Sequence, residues 1–220
     1  MLTPESLQFL YDLSQNNNRD WFAANKSRYE AVLKKPFERM LEALIDEVLT
    51  FDAEIGRPAA RDCVYRIYRD TRFSADKTPY KTHISASITP GGRKTGMDSF
   101  PGYYIHLAYG ALMLGGGAYM IDKPQLAQLR RAIAQDPQAL QSILAAPDFK
   151  EHYGELRGEK NKILPPDFKG LQIPELYYKQ FYFLRESDPE EALDPNFPKM
   201  AAQILRAGKD LNVFLRRALA

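Results

Sequence analysis

The spacing of the apolar residues changes near Asp62, and this change limits the folds that the chain can adopt. Between Phe37 and Leu49, apolar residues recur every three or four positions, which predicts an amphipathic helix. After Asp62 they alternate with polar residues, which predicts strands. The connections between these strands are short, so we expect an antiparallel meander, because parallel neighbours need crossover helices. Helical spacing returns after Asp122.

Capping residues and prolines set the expected boundaries before and within the sheet. One helix is expected after Thr3 and a second near Asn18 or Asp20, with a break at Pro36. Four strands are then expected, at residues 63–69, 83–89, 103–109 and 111–121.

The chain after these strands is expected to be helical again. Asp122 and Asp136 have the residue type and position of helix caps, and a last helix should begin at about Phe197. Residues 181–184 are compatible with a last strand or with a buried helical turn. The predicted fold class is α+β, with N-terminal helices, a central antiparallel sheet and C-terminal helices packed on the sheet, in a single domain over residues 1–220.

The composition is that of a globular protein without extreme charge. Hydrophobic residues make up 45% of the chain and charged residues 26%, which argues against a disordered chain. The formal net charge of +2 excludes the uniformly basic surface of a general nucleic-acid coat. The only cysteine, Cys63, excludes an intrachain disulfide and a cysteine-based zinc site.

Signals for export, membrane insertion, metals and cofactors are missing. The first residues carry no basic and apolar leader, and no apolar stretch approaches the roughly 20 residues of a membrane span, so we expect a cytoplasmic protein without membrane contact. His83, His106 and His152 lack the spacing of metal ligands, so no metal is expected. The glycine patterns of nucleotide-binding loops are also missing, and we expect no cofactor.

Positive charge is concentrated in residues 61–94. This segment holds eight basic residues against three acidic ones, a formal charge of +5, so the remainder of the +2 chain carries −3. Such a distribution favours a local anion site over a charged surface as a whole. Within the segment, residues 69–81 form a long polar loop between two predicted strands, and long loops in compact domains are frequently functional.

The sequence predicts that this loop, called the basic loop below, binds a small phosphorylated or otherwise anionic ligand. Arginine and lysine would neutralise the anion, hydroxyl groups would orient it, and a glycine backbone would let it approach closely. The candidate ligand-binding residues are Arg69, Arg72, Lys77, Lys81, Tyr80, Thr78 and Gly116. No general base stands out, so the sequence leaves open whether catalysis follows binding.

Other interpretations of the basic loop stay open. Its own carboxylates could pair with its cations and only order the loop. The same hairpin, extended by Arg93 and Lys94, could contact nucleic acid, although the modest net charge disfavours this, or it could dock an acidic protein partner. If residues 63–69 form a regular strand, Arg66 and Arg69 point to opposite faces and share a site only across a β-bulge.

Two features outside the basic loop also have two interpretations. His83 is expected on one strand face with Ser85 and Ser87, where a serine could act as a nucleophile and the histidine as its base. No Gly-x-Ser-x-Gly elbow accompanies them, so an ordinary strand face is favoured. Residues 115–117 are three glycines within a predicted strand. A β-bulge is favoured there over a close approach of backbone or ligand.

Three segments of the chain resemble a known protein family. They are residues 17–22 (NNRDWF), residues 69–81 (RDTRFSADKTPYK) and residues 115–119 (GGGAY), in this order. The chain resembles the widespread family of domain of unknown function 2461 over nearly its full length, and the second segment is highly specific to that family. The resemblance implies a single intracellular domain that mixes helices and sheet, and it supplies no reaction, cofactor or catalytic residue.

Overall fold

The computed structural model describes residues 1–92 and 100–220. Helices lie before and after the first strands of its sheet, as the sequence predicts. The helices before the sheet are α1 (Pro4–Gln15), α2 (Arg19–Arg28), α3 (Lys35–Leu49) and α4 (Ala60–Cys63), with a π-helical segment, Tyr29–Lys34, between α2 and α3. The later helices are α5 (Lys123–Gln135), α6 (Pro137–Ala145), α7 (Pro147–Tyr153), α8 (Phe197–Arg206) and α9 (Lys209–Leu219). Short 3₁₀ turns lie at Ala53–Ile55, Pro166–Phe168, Pro174–Tyr177 and Pro189–Leu193. No helix of the described ranges is both long enough and apolar enough to cross a membrane.

The sheet of the described residues is an antiparallel meander with its strands in chain order. The strands are β1 (His83–Ile88), β2 (Gly102–Ala108), β3 (Ala111–Ala118) and β4 (Phe181–Ser187). The segment at residues 181–184, which the sequence left undecided, is thus part of a strand. The predicted α+β class and meander are confirmed.

The predicted first strand, at residues 63–69, is wrong. The chain after α4 is extended, but it pairs with later residues only through isolated bridges, Val64 to Ala86 and Tyr68 to Tyr80. The bridged residues are four positions apart on one side and six on the other, so a continuous ladder cannot keep its register. The parity argument for the two arginines of this segment therefore does not apply.

The predicted break at Pro36 is also wrong, because the helical path from α2 to α3 continues through it. Proline has no N–H to donate to the carbonyl four residues earlier, which belongs to Val32. The helix widens into the π-helical segment just before the proline, and Ser6 Oγ of α1 donates to Val32 O at 2.6 Å. Buried Ser6 thus satisfies a carbonyl that has lost its usual helical partner, and it ties α1 to the long helix.

The predicted helix starts are confirmed by their caps. Asn18, Asp122 and Asp136 each accept a hydrogen bond from the backbone N–H three residues later, at 2.8–2.9 Å for the first two and 3.0 Å for the third. The predicted last helix begins at Phe197 but is divided into α8 and α9 just before Lys209. The division falls at Gly208, where the ring of Phe183 occupies the space that a side chain would need.

The sheet has one apolar and one polar face, because partners across neighbouring strands point the same way. Helices α7, α8 and α9 contact the sheet through β3 and β4. The apolar face buries Ile84, Ala86, Ile88, Tyr103, Ile105, Leu107, Leu112, Leu114, Phe181 and Phe183 in the core. The polar face carries His83, Ser85, Ser87, Tyr104, His106, Met113, Tyr182 and Leu184, most of them half-buried.

The three glycines at residues 115–117 lie inside β3, and the predicted bulge there is wrong. Both neighbouring strands keep their register through all three positions. Gly117 has φ of 101°, which favours glycine, and a Cβ at any of the three would collide with a carbonyl oxygen of a neighbouring strand. The close approach of backbone is therefore the correct alternative.

A buried ion pair joins α9 to the segment that follows α3. Arg216 Nη2 lies 2.8 and 2.9 Å from the two carboxylate oxygens of Asp52, and both side chains are almost fully buried. Tyr103 of β2 donates its hydroxyl to Asp52 at 2.7 Å, and Arg216 Nη1 donates to Pro101 O at 3.2 Å. Burial and the adjacent carboxylate raise the pKa of Tyr103 well above its usual range, so this hydroxyl stays a donor.

Asn212 makes a second connection between α9 and the sheet. Its Oδ1 accepts from Gly117 N at 2.9 Å, and its Nδ2 donates to Gly102 O at 3.0 Å. The two glycines are partners across β2 and β3, and the amide is fully buried. Since an unsatisfied buried polar group is costly, Asn212 fixes the rotation of α9 against this end of the sheet.

Replacing Arg216 by methionine should destabilise the protein strongly, because Asp52 would stay buried without its partner. We expect the free energy of unfolding to fall by about 3–5 kcal/mol, measured by urea denaturation and circular dichroism. Arg217→Met, on the exposed side of the same helix, is the matched control and should change it by less than about 0.5 kcal/mol. Adding Asp52→Asn to Arg216→Met should recover part of the loss, and equal effects of the two arginine substitutions would contradict this role.

Candidate functional site

The end of the basic loop is anchored to the turn between α1 and α2. Asn17 Oδ1 accepts from Tyr80 N at 3.1 Å, and Asn17 Nδ2 donates to Tyr80 O at 2.9 Å. The buried ring of Tyr80 stacks on Phe22 of α2 with 4.1 Å between the ring centroids. Two of the three segments that carry the family resemblance are therefore in direct contact.

Arg69 holds the inside of the basic loop together. Its guanidinium pairs with the carboxylate of Asp76 and donates to the hydroxyl of Thr78, and its Nη2 lies 3.4 Å from Ser74 Oγ. Asp76 Oδ1 also accepts from Thr78 N at 2.9 Å. The Thr78 N–H and the Arg69 guanidinium together hold the pKa of Asp76 at about 2. The charge of Arg69 is thus engaged within the loop.

The other cations near the tip of the loop have partners as well. Arg72 pairs with Asp70 through two hydrogen bonds, from Nε at 3.0 Å and from Nη2 at 2.7 Å. This pair lowers the pKa of Asp70 to about 2, while the arginine side chain remains 77% exposed. Lys77 Nζ donates to Thr71 O at 2.9 Å. These contacts favour the interpretation in which carboxylates and carbonyls order the loop.

The seven candidate residues from the sequence do not line one cavity. Four border an open cleft between the loop and the turn after α1: Arg69, Lys77, Thr78 and Tyr80. Lys81 and Gly116 line a different cavity, on the sheet. Arg72 lies at the exposed tip of the loop, next to the almost fully exposed ring of Phe73. Arg93 and Lys94, which the nucleic-acid interpretation added, lie outside the described residues.

The cavity on the polar face of the sheet, called the sheet-face cavity below, has a volume of about 460 Å³. One part of its lining carries hydroxyl, imidazole and ammonium groups, from Tyr65, Lys81, His83, Ser85, Ser87, Thr89 and Tyr104. The opposite part is aromatic and apolar and consists mainly of Phe100, Tyr119, Met120 and Tyr182. Gly116 and Gly117 of β3 also line the cavity, and because they have no side chains they contribute backbone atoms to the lining.

Hydrogen bonds connect the polar groups of the sheet-face cavity. Tyr65 and Ser87 share a hydrogen bond of 2.8 Å between their hydroxyls. The Tyr104 hydroxyl lies 3.1 Å from His106 Nδ1 and also bonds to Ser85, which is nearly fully buried. These side chains come from β1, from β2 and from the extended segment before the basic loop, so the sheet and the loop fix them jointly.

Two imidazoles stack on the same face. The rings of His83 and His106 have centroids 4.1 Å apart and planes inclined by 24°. Burial, His106 and Lys81 lower the pKa of His83 to about 4, and burial and Lys81 also lower the pKa of His106. Both rings are therefore neutral at pH 7 and can each donate and accept a hydrogen bond.

The part of the chain that the structure describes holds no group of three or more histidine, cysteine or carboxylate side chains arranged for a metal ion. Burial raises the pKa of the Cys63 thiol to about 11, so this thiol is not a thiolate at neutral pH. The polar groups of the sheet-face cavity are suited to hydrogen bonding, and Lys81 brings a basic side chain to the lining.

Sequence reasoning found one side of the sheet-face cavity and missed the other. It placed His83, Ser85 and Ser87 on a shared face, and all three line the cavity. It missed Tyr104. Tyr104 alternates with His106 in β2, and residues paired across antiparallel strands share a face, so this alternation could have placed Tyr104 beside Ser85 and Ser87. It also missed the tyrosines that reach the cavity from outside β1 and β2, since no local pattern indicates where their side chains lie: Tyr65, Tyr119 and Tyr182.

The fold and the cavity define an α+β protein with a cavity on the polar face of its antiparallel sheet. Residues 5–214 match the family described as "Conserved hypothetical protein (DUF2461)", and the chain belongs to this family. The resemblance noted from the sequence is thereby confirmed. Neither the curated proteins nor the solved structures contain a match to the chain. The family description names no activity.

Arg69→Ala should destabilise the protein more than Arg72→Ala does. Arg69 loses hydrogen bonds to a carboxylate and two hydroxyls from a half-buried position, and we expect about 1–3 kcal/mol. Arg72 loses one exposed ion pair, which contributes little because water screens both charges. Chemical denaturation of both variants measures the difference. A larger effect of Arg72→Ala would refute the assignment of the loop's internal anchor to Arg69.

Wild-type protein should lose stability between about pH 6.5 and about pH 4 more steeply than His83→Gln. The folded pKa of His83 is lowered, so the unfolded chain binds more protons in this window and stability falls as the pH falls. Each kcal/mol lost lowers the melting temperature by about 2–4 °C in a chain of this length, so a difference of several degrees is expected. Thermal melts at pH 7 and pH 4.5 measure it, and parallel pH profiles for the two proteins would contradict the burial of a neutral His83.

Proposed function

We propose that the protein binds a small organic anion in the sheet-face cavity. One observation carries the proposal: Lys81, His83 and several hydroxyl groups converge on a single cavity of about 460 Å³. Sites for small molecules have volumes of this order, and they combine an apolar lining with a few polar groups that fix orientation. The proposal keeps the anionic ligand expected from the sequence but moves its site from the basic loop to the sheet.

The two parts of the lining suit the two parts of such a ligand. Lys81 and the hydroxyls of Ser85 and Ser87 offer donors to an anionic group. Tyr119 and Tyr182 meet edge to face, with ring centroids 5.3 Å apart, and offer an aromatic surface to an organic group. A molecule with an anionic head and a compact apolar or planar body would satisfy both parts.

The basic loop has a supporting role in this proposal. Tyr65 precedes the loop on the chain and Lys81 is its last residue, and Lys81 Nζ is 5.2 Å from the centroid of the Tyr65 ring. Two contacts close the base of the loop. They are the β-bridge between Tyr68 and Tyr80 and the hydrogen bond that Arg69 N donates to Pro79 O at 2.9 Å. The ion pairs of the loop would thus position Lys81 without touching the ligand themselves.

A second candidate function is protein interaction through the tip of the basic loop. Phe73 is 96% exposed, and the Arg72 guanidinium lies over its ring at 5.7 Å from the centroid. An exposed aromatic ring on a loop that is already ordered resembles the preformed anchor of an interface. Nucleic-acid contact has less support, because two of the loop's arginines are paired with carboxylates.

A thermal-shift panel of small organic anions tests the proposed ligand. Sugar phosphates, nucleoside monophosphates and aromatic carboxylates each present an anionic head on a compact body. A ligand at 100 times its dissociation constant should stabilise the folded state by about 2.7 kcal/mol, which is a clear shift. Lys81→Met should abolish the shift produced by any ligand found.

Lys77→Met is the matched control for Lys81→Met, because Lys77 belongs to the same loop but borders the cleft instead of the sheet-face cavity. It should leave the shift unchanged. A ligand whose effect is lost with Lys77→Met and retained with Lys81→Met would place binding on the loop and refute the sheet-face site. A panel without any shift, on protein that melts cooperatively, would refute the proposal as a whole.

A further inference from the structure

We infer that the organic part of the ligand is a planar aromatic ring, which lies flat on the glycines of the sheet-face cavity and carries the anionic group directly. The inference rests on the proposed function and adds to it the class of the ligand: an aryl anion, such as an aryl phosphate or an aryl carboxylate. It depends on the floor of the cavity and on the aromatic side chains beside that floor.

The floor of the cavity is a patch of backbone that carries no side chains. Gly102 of β2 and Gly117 of β3 both line the cavity and are partners across the two strands, and Gly116 lines it beside them. Neighbouring strands lie about 4.8 Å apart, so two bare strands side by side give a flat surface about 10 Å wide. This patch, called the glycine floor below, is wide enough for one six-membered ring and lets the ring approach the backbone closely.

Peptide groups of the glycine floor are already hydrogen-bonded from the core. Asn212 of α9 is fully buried, and it accepts from Gly117 N at 2.9 Å and donates to Gly102 O at 3.0 Å. Both groups are thus satisfied without a ligand, so the floor favours the flat face of an apolar ring over a polar substituent. A planar ring also contacts a flat floor with all of its atoms, whereas a puckered saturated ring contacts it with only some of them.

Two tyrosines border the glycine floor. Tyr182 of β4 is the cross-strand partner of Gly117, and its ring meets the ring of Tyr119 edge to face, with 5.3 Å between the centroids. Both tyrosines line the cavity. Aromatic rings gain energy from offset-stacked or edge-to-face contacts beyond the burial of their area. A planar aromatic ring on the floor can make such a contact with these tyrosines, and a saturated ring cannot.

The hydroxyl groups nearest the glycine floor place the anionic group on the ring itself. Tyr104 follows Gly102 by two residues on β2, and it is the cross-strand partner of Ser87 of β1. Both residues line the cavity, and two residues of an antiparallel strand span about 7 Å. The edge of a ring centred on the floor is therefore within one substituent's length of these side chains. A long linker between the ring and the anionic group would exceed this distance.

Phenyl phosphate and cyclohexyl phosphate test the inference, because they share the anionic group and the ring size but only the phenyl ring is planar. Isothermal titration calorimetry on the full chain at pH 8 compares them, since both are dianions well above the second phosphate pKa of about 6. Phenyl phosphate should bind about two- to tenfold more tightly, the gain expected from one aromatic contact. Burial of apolar area alone predicts the opposite order, because the saturated ring has the larger apolar surface.

Tyr119→Leu should bring this affinity ratio close to one, because leucine keeps an apolar side chain but removes the aromatic ring. Tyr109→Leu is the matched control and should leave the ratio unchanged. Tyr109 is a tyrosine of similar exposure in the turn between β2 and β3, and its ring packs on Tyr11 with 4.8 Å between the centroids. It lies outside the described residues that line the cavity.

Nuclear magnetic resonance on the wild-type protein tests the orientation of the ring independently of affinity. When phenyl phosphate binds, a ring that lies flat on the glycine floor should move the Hα resonances of Gly102 and Gly117 upfield through its ring current. Cyclohexyl phosphate has no ring current and should not produce this change.

Three results would overturn the inference: equal or tighter binding of cyclohexyl phosphate, an unchanged affinity ratio in Tyr119→Leu, or glycine Hα resonances that do not move upfield with phenyl phosphate. Failure of phenyl phosphate to bind would also overturn it. The proposed function is tested separately, by the organic-anion panel and Lys81→Met. A saturated anion whose binding depends on Lys81 would support the proposed function and refute the inference, and a panel without any ligand would refute both.

Discussion

The contact between Asp52 and Arg216 fixes the arrangement on which the rest of the structure depends. A carboxylate with almost no exposure is tolerable only with a full set of partners, and Arg216 from α9 and Tyr103 from β2 supply them. Because these groups come from three separate parts of the chain, α9 can lie against the sheet in one orientation only. Asn212 repeats the constraint four residues earlier on the same helix. Helices α7, α8 and α9 are thereby placed against the sheet, and the polar face of the sheet borders the sheet-face cavity.

The glycines of β3 and the basic loop shape the cavity on the polar face of the sheet. Without side chains at residues 115–117, neighbouring strands and Asn212 approach the backbone of β3 closely, and the floor of the cavity can be backbone. The part of the cavity lining near β1 depends on the basic loop. Asn17 holds the backbone of Tyr80, and Arg69 pairs with Asp76 inside the loop, so these contacts fix the position of Lys81 at the end of the loop. The three segments that carry the family resemblance thus form one structural unit: an anchor, a closed loop and a glycine floor.

The sequence predicted those parts of the fold that local chemistry determines. The caps at Asn18 and Asp122, the amphipathic α3 and the meander follow from residue type and spacing, and they are confirmed. The errors lie where distant residues decide. The break expected at Pro36 fails because Ser6, thirty residues earlier, satisfies the carbonyl of Val32. The β-bulge predicted at the three glycines is wrong because the backbones of the strands on both sides lie where side chains of β3 would be, and the pairing continues without a bulge. Likewise, nothing near Asp52 in the chain indicates a partner as distant as Arg216.

The candidate site illustrates the same division for charge. Counting basic residues located the +5 segment correctly, but charge in a sequence does not show which cations are already neutralised within it. Asp70 and Asp76 lie close enough along the loop to pair with Arg72 and Arg69, so most of the loop's charge is used to maintain its own shape. The imidazoles of the polar face contribute nothing to a formal charge count, because burial and Lys81 lower the pKa of both rings. A formal charge count therefore locates the ionisable side chains of a chain, but the fold decides which of them are paired with carboxylates and which are held neutral by burial.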